Sequence, residues 1–452
     1  MIFDKVLQIF QKYCICVHCL GRMFSLLASQ TTNQKRGDSL LLSLTMENHR
    51  KLLSNSIQDQ KEAIFNLKIL AENANYLPAQ KVLKTEVIEY ILRDEHQPCY
   101  LCNDIFLKIE RYERKAIEDL EGIEFNNFLV GSTPDSQIIN KEDKFKSEFN
   151  ILEAESFKSH FNRVIGKLLM DKLNKFPEFD NPEVLIVFFI GFESFSIKLI
   201  LRSLFIFGRY NKLLRGIPQT HWFCKNCKGK GCEECNFTGK QYLISVEELI
   251  SPEFIKASGA TDSKFHGAGR EDIDVRMLGL GRPFILELRS PKIRNINLSK
   301  MEKSVNRKNK KKVRIQDLRY SSKREVIKLK AEAKDAKKFY RSLVESVVKI
   351  SKEEFEEKLI LLKNRFENQE IHQRTPYRVS HRRADKIRGK IIYNIEGKYI
   401  KPNLFEFIIE TQGGTYIKEL INGDNGRTSP SFSEIFEILL VCKELDVIKI
   451  SS

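Results

Sequence analysis

Residues 224–235 read CKNCKGKGCEEC, a C-x2-C-x4-C-x2-C run. Four thiols on two tight turns can enclose one tetrahedral metal ion, and Gly229 and Gly231 let the chain double back between them. A chain with this run must organise itself around that point. Two more pairs, Cys16/Cys19 and Cys99/Cys102, stand about eighty residues apart, each a half-site by its C-x2-C spacing. Together they make a second four-cysteine site that would staple the N-terminal helical region to a helix near the second pair. Cys14 and His18 compete as ligands, and the C-x2-C geometry favours Cys16 with Cys19. Neither set leaves an open coordination position, so Cys16, Cys19, Cys99, Cys102 and Cys224, Cys227, Cys232, Cys235 read as two structural zinc sites. Cys442, alone in EILLVCKEL, reads as a small buried hydrophobe.

The remaining composition narrows the partners. Lys and Arg number 76 against 60 Asp and Glu, a net charge of +16. A field of that sign favours a polyanion, with nucleic acid ahead of an anionic membrane. The most apolar run, VLIVFFIGF at 184–192, is far too short to span a bilayer, and it reads as a buried strand. Asp4, Lys5 and Lys12 interrupt MIFDKVLQIFQKYC, so no secretion signal is read there. A cytoplasmic protein without membrane association is the expectation, and a reducing compartment suits metal-bound cysteines better than disulfides.

Along the chain, residues 1–120 have helical periodicity and the first cysteine pairs, and 121–220 mix strand-like runs with helices. Residues 221–240 form the cysteine knuckle, and 241–452 alternate strands and helices. The overall class is α+β. Residues 292–324 carry 13 Lys/Arg and two acids, with NRKNKKK read as a solvated hairpin tip. In RTPYRVSHRRADKIRGK (374–390) and FGRYNKLLRGIPQTHW (207–222) the basic residues alternate with aromatics, as on a surface that tracks a nucleic-acid backbone and stacks a base.

The stretch HGAGREDIDVRMLGLGRPF (266–284) holds Glu271, Asp272 and Asp274 between Arg270 and Arg276. Salt-bridged turn and catalytic loop are both compatible with it. A phosphate-binding G-x-G-x-x-G loop is not, since Gly267, Gly269, Gly279 and Gly281 lack the third glycine at the required step. GRED followed by apolar residues predicts a strand–loop–strand that carries Asp272 to a cleft.

Taken in order, GREDIDVRMLGLGRPF, KKFYRSLVES (337–346), RTPYRVSHRRAD (374–385) and GGTYIKELINGDNGRTSPS (413–431) resemble the THUMP-containing tRNA pseudouridine synthases, archaeal and eukaryotic enzymes acting on the T-loop. CxxCLGRMF at 16–24, TTNQKRG at 31–37 and the Cys99/Cys102 pair also fit, and the knuckle suits the archaeal members better than the animal ones. A CxxCxGxGC pattern occurs in DnaJ-type chaperones too, but as a repeated module, and here it occurs once. Ser342 departs from the alanine usual in the K-x-Y-x-A-L-V pattern.

The resemblance implies a catalytic domain on a central mixed sheet, preceded by an α/β THUMP-like segment that helps bind RNA. It implies Asp272 as nucleophile, Tyr340 against the target base, and Tyr416, Ile417 and Lys418 on a strand opposite, with Tyr416 near the substrate. It implies tRNA as partner, uridine 54, uridine 55 or both as target, no cofactor for catalysis and no obligate protein partner. A carboxylate attacks only while ionised, and Lys418 or Arg270 is the cation expected to keep Asp272 charged. Asp274 is expected to pair with an arginine, and Gly423–Arg427 to form a turn with Arg427 at a phosphate.

Two other classes compete. A zinc-containing RNA-binding protein or chaperone without catalysis would keep its function in an Asp272→Asn variant. A nucleotide-dependent RNA-modifying enzyme would need a cofactor loop, and neither a P-loop nor a methyl-donor site is found in the sequence.

Overall fold

The structure, a computed structural model, describes residues 2–92, 96–333 and 336–451. It divides into two compact units, Met1–Arg202 and Ser203–Ser452.

The first unit opens with helices Ile2–Lys12, Val17–Met23, Asn33–Leu52, Ile57–Glu72 and Leu77–Thr85. Thr32 and Ser56 start two of them, each accepting a hydrogen bond from the amide three residues on. The second and third helices cross glycine on glycine. A Cβ on Gly21 would fall 1.7 Å from the Asn33 carbonyl oxygen, and one on Gly37 2.1 Å from that of Val17. Only glycine permits backbones this close. Further on, strands β1 (Asn127–Pro134), β2 (Phe176–Pro177), β3 (Val184–Ile190) and β4 (Phe195–Leu201) form a sheet in the order β2-β1-β3-β4. β1 runs parallel to β2 and β3, and β4 antiparallel to β3. Helix Phe157–Leu173 packs on β1 and lies in the crossover that a parallel strand pair requires. In β3 the residues Val184, Ile186, Phe188 and Ile190 are buried and alternate with more exposed neighbours, so VLIVFFIGF is a strand with one face in the core.

The second unit is built on a ten-stranded mixed sheet. Its strands are β5 (Leu204–Lys212), β6 (Asp262–Gly267), β7 (Arg276–Arg289), β8 (Val313–Ser321), β9 (Lys337–Ser346), β10 (Gln369–Arg374), β11 (Ile387–Lys401), β12 (Leu404–Gln412), β13 (Thr428–Ser429) and β14 (Leu440–Ser451). The order is β13-β10-β11-β12-β9-β14-β7-β5-β8, with β6 added on β7. Residues 203–212, which the sequence groups with the preceding segment, pair here with β7 and β8.

One parallel contact, Asp446 and Val447 against Arg276 and Met277, joins β14 to β7. Just beyond it β7 turns away at Gly279, whose φ is +59° and whose hypothetical Cβ would sit 1.9 Å from the Ile448 carbonyl oxygen. The same junction is pinned by Asp446, buried at 3% exposure. Its carboxylate accepts from Arg215 at 2.7 Å, from Arg276 at 2.7 and 2.8 Å and from Arg341 at 2.9 Å.

The basic tract at 292–324 differs from expectation. NRKNKKK is not a hairpin tip: it begins in the last turn of helix Leu298–Lys308, which buries Met301 and Val305, and leads into β8. A pair of apolar residues four apart was enough to fold the lysine-rich strip onto the unit.

Candidate active site

The segment Ala268–Val275 links β6 to β7, as the strand–loop–strand reading expected. Buried charges hold it from below. Lys212, wholly buried on β5, donates to the carbonyls of Ile217 at 2.9 Å and of Asp272 and Ile273, each at 3.0 Å. Glu271 points down from the loop: it accepts from the Tyr210 hydroxyl at 2.9 Å and from Arg282 Nε at 2.9 Å. Gln219 ties Tyr210 to the Gly269 carbonyl, at 2.7 and 2.9 Å. Burial draws the Lys212 amine down to about 8, opposed by Glu271. The loop backbone is thereby clamped while the next side chain, Asp272, turns upward.

Asp272 is one-third exposed and lies at the mouth of a cavity of about 130 Å³. Arg378 Nη2 stands 2.9 Å from its Oδ2. Arg378 is in turn held by the buried Glu419, whose Oε1 accepts from Nε at 2.6 Å. Its guanidinium is pushed above its ordinary range by these two carboxylates, against the cost of its burial.

Tyr340 forms the opposite wall from the middle of β9, flanked by Ile409 on β12 and Val447 on β14. It is 9% exposed, and burial pushes its phenol up to about 12. Tyr416, Lys418 and Arg270 also line it. Asp272, Tyr340, Tyr416 and Lys418, which the resemblance singles out, and Arg270, expected from its charge, come from three separate segments and line one cavity.

Several details differ from expectation. Arg378 pairs with Asp272, where Lys418 or Arg270 was expected. Lys418 pairs with Asp274 at 2.5 Å, so Asp274 is bound to a lysine rather than an arginine side chain. Arg270 lies over the Trp222 ring at 5.8 Å. Tyr416–Lys418 do not continue a strand. Tyr416 caps the short helix Ile417–Asn422, its amide donating to Gln373 Oε1 at 2.8 Å and its hydroxyl accepting from Arg383 at 2.8 Å. Gly413 and Gly414 break β12 just before, and the helix then buries Ile417, Leu420 and Ile421 at helical spacing. Arg427 is engaged within the protein, donating to the Thr375 carbonyl at 2.7 Å and to Asp385 at 2.6 Å. Ser342 is fully buried, and its hydroxyl donates to the Phe407 carbonyl at 3.4 Å, so the alanine-to-serine departure leaves no orphaned group.

Arg378, Lys212, Arg282 and Glu419 were missed as site residues. Arg378 lies inside the tract RTPYRVSHRRAD, and nothing in its spacing separates it from the other arginines there. The buried set is visible only as charges between apolar neighbours on β5 and β7.

Both cysteine groups assemble. Cys16, Cys19, Cys99 and Cys102 place their sulfurs within 4.8 Å of one another, as do Cys224, Cys227, Cys232 and Cys235. Cys14 is not in the first set, and His18 stacks against Phe106 at 5.8 Å instead. The Cys99/Cys102 pair sits on a turn before the short 3-10 helix Ile105–Lys108, not on a longer helix. Sulfur separations of 3.7 Å for Cys16–Cys102 and 3.7 to 3.9 Å in the knuckle are those of one tetrahedron. With a metal–sulfur bond near 2.3 Å, its edge is about 3.8 Å. In the knuckle the amides of Gly231 and Gly239 donate to Cys227 and Cys235 Sγ, each at 3.2 Å, the bonds that a thiolate would accept. The residues fit a four-thiolate metal. Cys442 is half-buried against the core of the second unit, and burial pushes its thiol up to about 12.

A helical and α/β unit with one four-cysteine cluster and a mixed-sheet unit with another, whose cavity is lined by a carboxylate and a buried tyrosine, define a two-unit α+β protein with a polar cleft suited to an enzyme site. Residues 112–188 match the family profile "Pus10 THUMP domain, archaeal", and residues 205–451 match "Pus10, C-terminal". The chain is 43% identical over 448 residues to the tRNA pseudouridine synthase Pus10 of Methanocaldococcus jannaschii, covering 98% of this chain and 93% of that one. It is 37% identical to the Methanopyrus kandleri protein of the same name, covering 99% and 98%, and 36% identical to that of Methanothermobacter marburgensis, covering 96% and 95%. A solved Cbf5–Nop10–Gar1 complex shares only a slight likeness, with TM-score 0.28 and 19% identity over 45% of each chain. The chain belongs to the Pus10 family and is an isomerase of the pseudouridine synthase type. Among the described residues, no helix is long and apolar enough to cross a membrane.

Proposed function

We propose that this protein isomerises uridine to pseudouridine in the T-loop of tRNA, at position 54, position 55 or both, with Asp272 as nucleophile. The observation that carries the reading is the ion pair between Asp272 and Arg378 at the mouth of a cavity walled by Tyr340. The reaction breaks the bond from C1′ to N1, turns the base and rejoins it through C5. A carboxylate can open that sequence at C1′ only if it is ionised and aimed at the sugar. Arg378 sets a fixed positive charge beside the carboxylate, and the clamp on the loop backbone through Lys212 removes the entropy of finding the right orientation. The target base must leave its stack to reach the cavity, and Tyr340 offers an aromatic wall to receive it. Tyr416 and Arg270 line its approach, and Lys418 braces the loop through Asp274.

The net charge of +16 suits a polyanionic substrate. The tRNA in the names of the archaeal relatives supports the same choice. The two four-cysteine clusters are read as structural zinc sites. An all-thiolate set with no open position selects zinc over harder cations, and such a site contributes folding energy and takes no part in the chemistry.

The deciding experiment is pseudouridine mapping on an unmodified tRNA transcript with no added cofactor, using wild-type protein and Asp272→Asn. Conversion in the T-loop by wild type alone supports the reaction, its place and its nucleophile together. Binding of tRNA by both proteins with conversion by neither would replace an enzyme with a binding protein.

A further inference from the structure

We propose that Lys338 is a second catalytic residue, whose neutral ε-amine takes the proton from C5 of the target uracil after the new carbon–carbon bond has formed. This rests on the reading of the Asp272 cavity as the site of isomerisation.

The geometry of β9 comes first. Lys338 and Tyr340 are two residues apart on one strand, so both side chains leave the same face, and both line the cavity. Lys338 is 6% exposed. Among the described residues its amine has no hydrogen-bond or ion-pair partner. Two other buried cations, Lys212 beneath the loop and Arg282 in the cavity wall, have partners: Lys212 holds three carbonyls, and Arg282 donates to Glu271 and to the Ala268 carbonyl. A buried ammonium without a carboxylate is costly, and a neutral amine is not. Lys338 is thus built differently from its neighbours.

The charges facing it act the same way. Arg282 approaches from β7, Lys390 from β11 and Glu271 from the loop, and Glu271 is already committed to Tyr210 and Arg282. On the adjacent strands Lys338 lies opposite Thr411 and Ile450, neither of them charged. Burial, aided by Arg282 and Lys390 and opposed by Glu271, draws the amine down to about 7. A large share is then a free base at neutral pH, the usual way a buried lysine is activated. The Tyr340 phenol, pushed up to about 12, keeps its proton and is a poor acceptor.

The chemistry supplies the task. When C5 attacks C1′, it carries both its hydrogen and the new bond, and N1 is doubly bonded to C6. The amine removes the C5 proton, the electron pair of that bond becomes the C5–C6 double bond, and the displaced N1–C6 pair takes a proton from water at N1. Atoms and charge balance, and no oxidant or reductant enters.

The test is single-turnover conversion of a tRNA transcript with and without deuterium at uracil C5, across neutral pH. It uses full-length wild type, Lys338→Met, Lys338→Arg and Asp272→Asn, with tRNA affinity and thermal melting measured for each. Lys338→Met is expected to be about 100-fold slower with unchanged tRNA affinity, the size of a lost general base. It should also show a larger isotope effect on C5 than wild type, in which proton removal only partly limits the rate. Lys338→Arg should do no better, and wild type should lose rate below a midpoint near pH 7. Restoration by Lys338→Arg would show that a fixed cation suffices and would overturn the proposal. So would a Lys338→Met enzyme with full rate and no larger isotope effect, and so would a wild-type profile flat through neutral pH, which needs no variant to fold. If Asp272→Asn is dead while Lys338→Met is fully active, only this inference fails. An active Asp272→Asn enzyme would remove the reading beneath it.

Discussion

Arg378 and Asp272 form a 2.9 Å ion pair at the cavity, and Glu419 holds the same guanidinium through Nε at 2.6 Å and Nη2 at 3.4 Å. The arginine is thus positioned from behind before any substrate arrives. Arg378→Ala should lower the single-turnover rate about 100-fold, the cost typical of a misplaced reacting group. Arg378→Lys, which keeps the charge but cannot span both carboxylates, should fall between. If Arg378→Ala weakened tRNA affinity and left the rate at saturation unchanged, the residue would be a phosphate contact and not a partner of Asp272.

Lys212 makes a second prediction. Replacing it with Met leaves three buried carbonyls short of a donor and strips Glu271 of a neighbour 3.9 Å away. Urea unfolding should show a loss of about 3 kcal/mol. An unchanged midpoint would mean that water replaces the amine and that the loop is not clamped as described.

Asp446 binds three arginines from three different segments at the junction of β14, β7 and β9. Asp446→Ala should destabilise the protein by about 2 kcal/mol, less than a fully buried pair because the arginines are partly solvated. Burial raises the pKa of this carboxyl, but Arg276 and Arg341 more than offset it, so it is lowered overall. Its contribution is complete above the ordinary carboxylate range and is lost as pH falls through the lowered value. An acid unfolding midpoint identical in the variant and the wild type would contradict this.

The sign reverses for Lys338. Its folded value of about 7 lies below the ordinary 10.5, so the unfolded chain binds more protons between those values. The native state therefore gains stability as pH rises across that window. Denaturation at pH 7 and pH 9 should show a smaller gain for Lys338→Met than for wild type, and equal gains would mean that the amine is charged when folded.

Metal analysis gives the last prediction. Two four-cysteine groups should hold two zinc ions per chain, and cobalt substitution should give the absorption of tetrahedral thiolate sites. Cys16→Ser and Cys227→Ser should each remove one ion and lower the melting temperature. A chain that keeps its melting temperature after complete chelation would show that the clusters fold without metal.

Much of this was legible from the residues. The knuckle at 224–235 follows from ligand spacing, because thiolates three apart on a turn point to one centre, and Cys16/Cys19 and Cys99/Cys102 were readable as two half-sites that need each other to complete a second one. β3 was readable in VLIVFFIGF, since a short apolar run between polar neighbours has few other solutions. The loop bearing Asp272 followed from GRED between apolar strands. Choosing Asp272 over Glu271 and Asp274, and adding Tyr340 and Tyr416, came from family resemblance and not from any local rule.

By itself, then, the sequence determined the knuckle, the two cysteine half-sites, strand β3 and the chemistry available at 270–274, all of which depend on near neighbours along the chain. Which cation meets which carboxylate was decided only by the tertiary structure. Arg378 reaches Asp272 from 106 residues away, Lys418 reaches Asp274 from 144, and Lys212 holds the loop from 60. Such pairings depend on sheet order and on the direction each side chain leaves its strand or helix. Charge attracts any opposite charge within reach, so only the packed fold can say which ones are in reach.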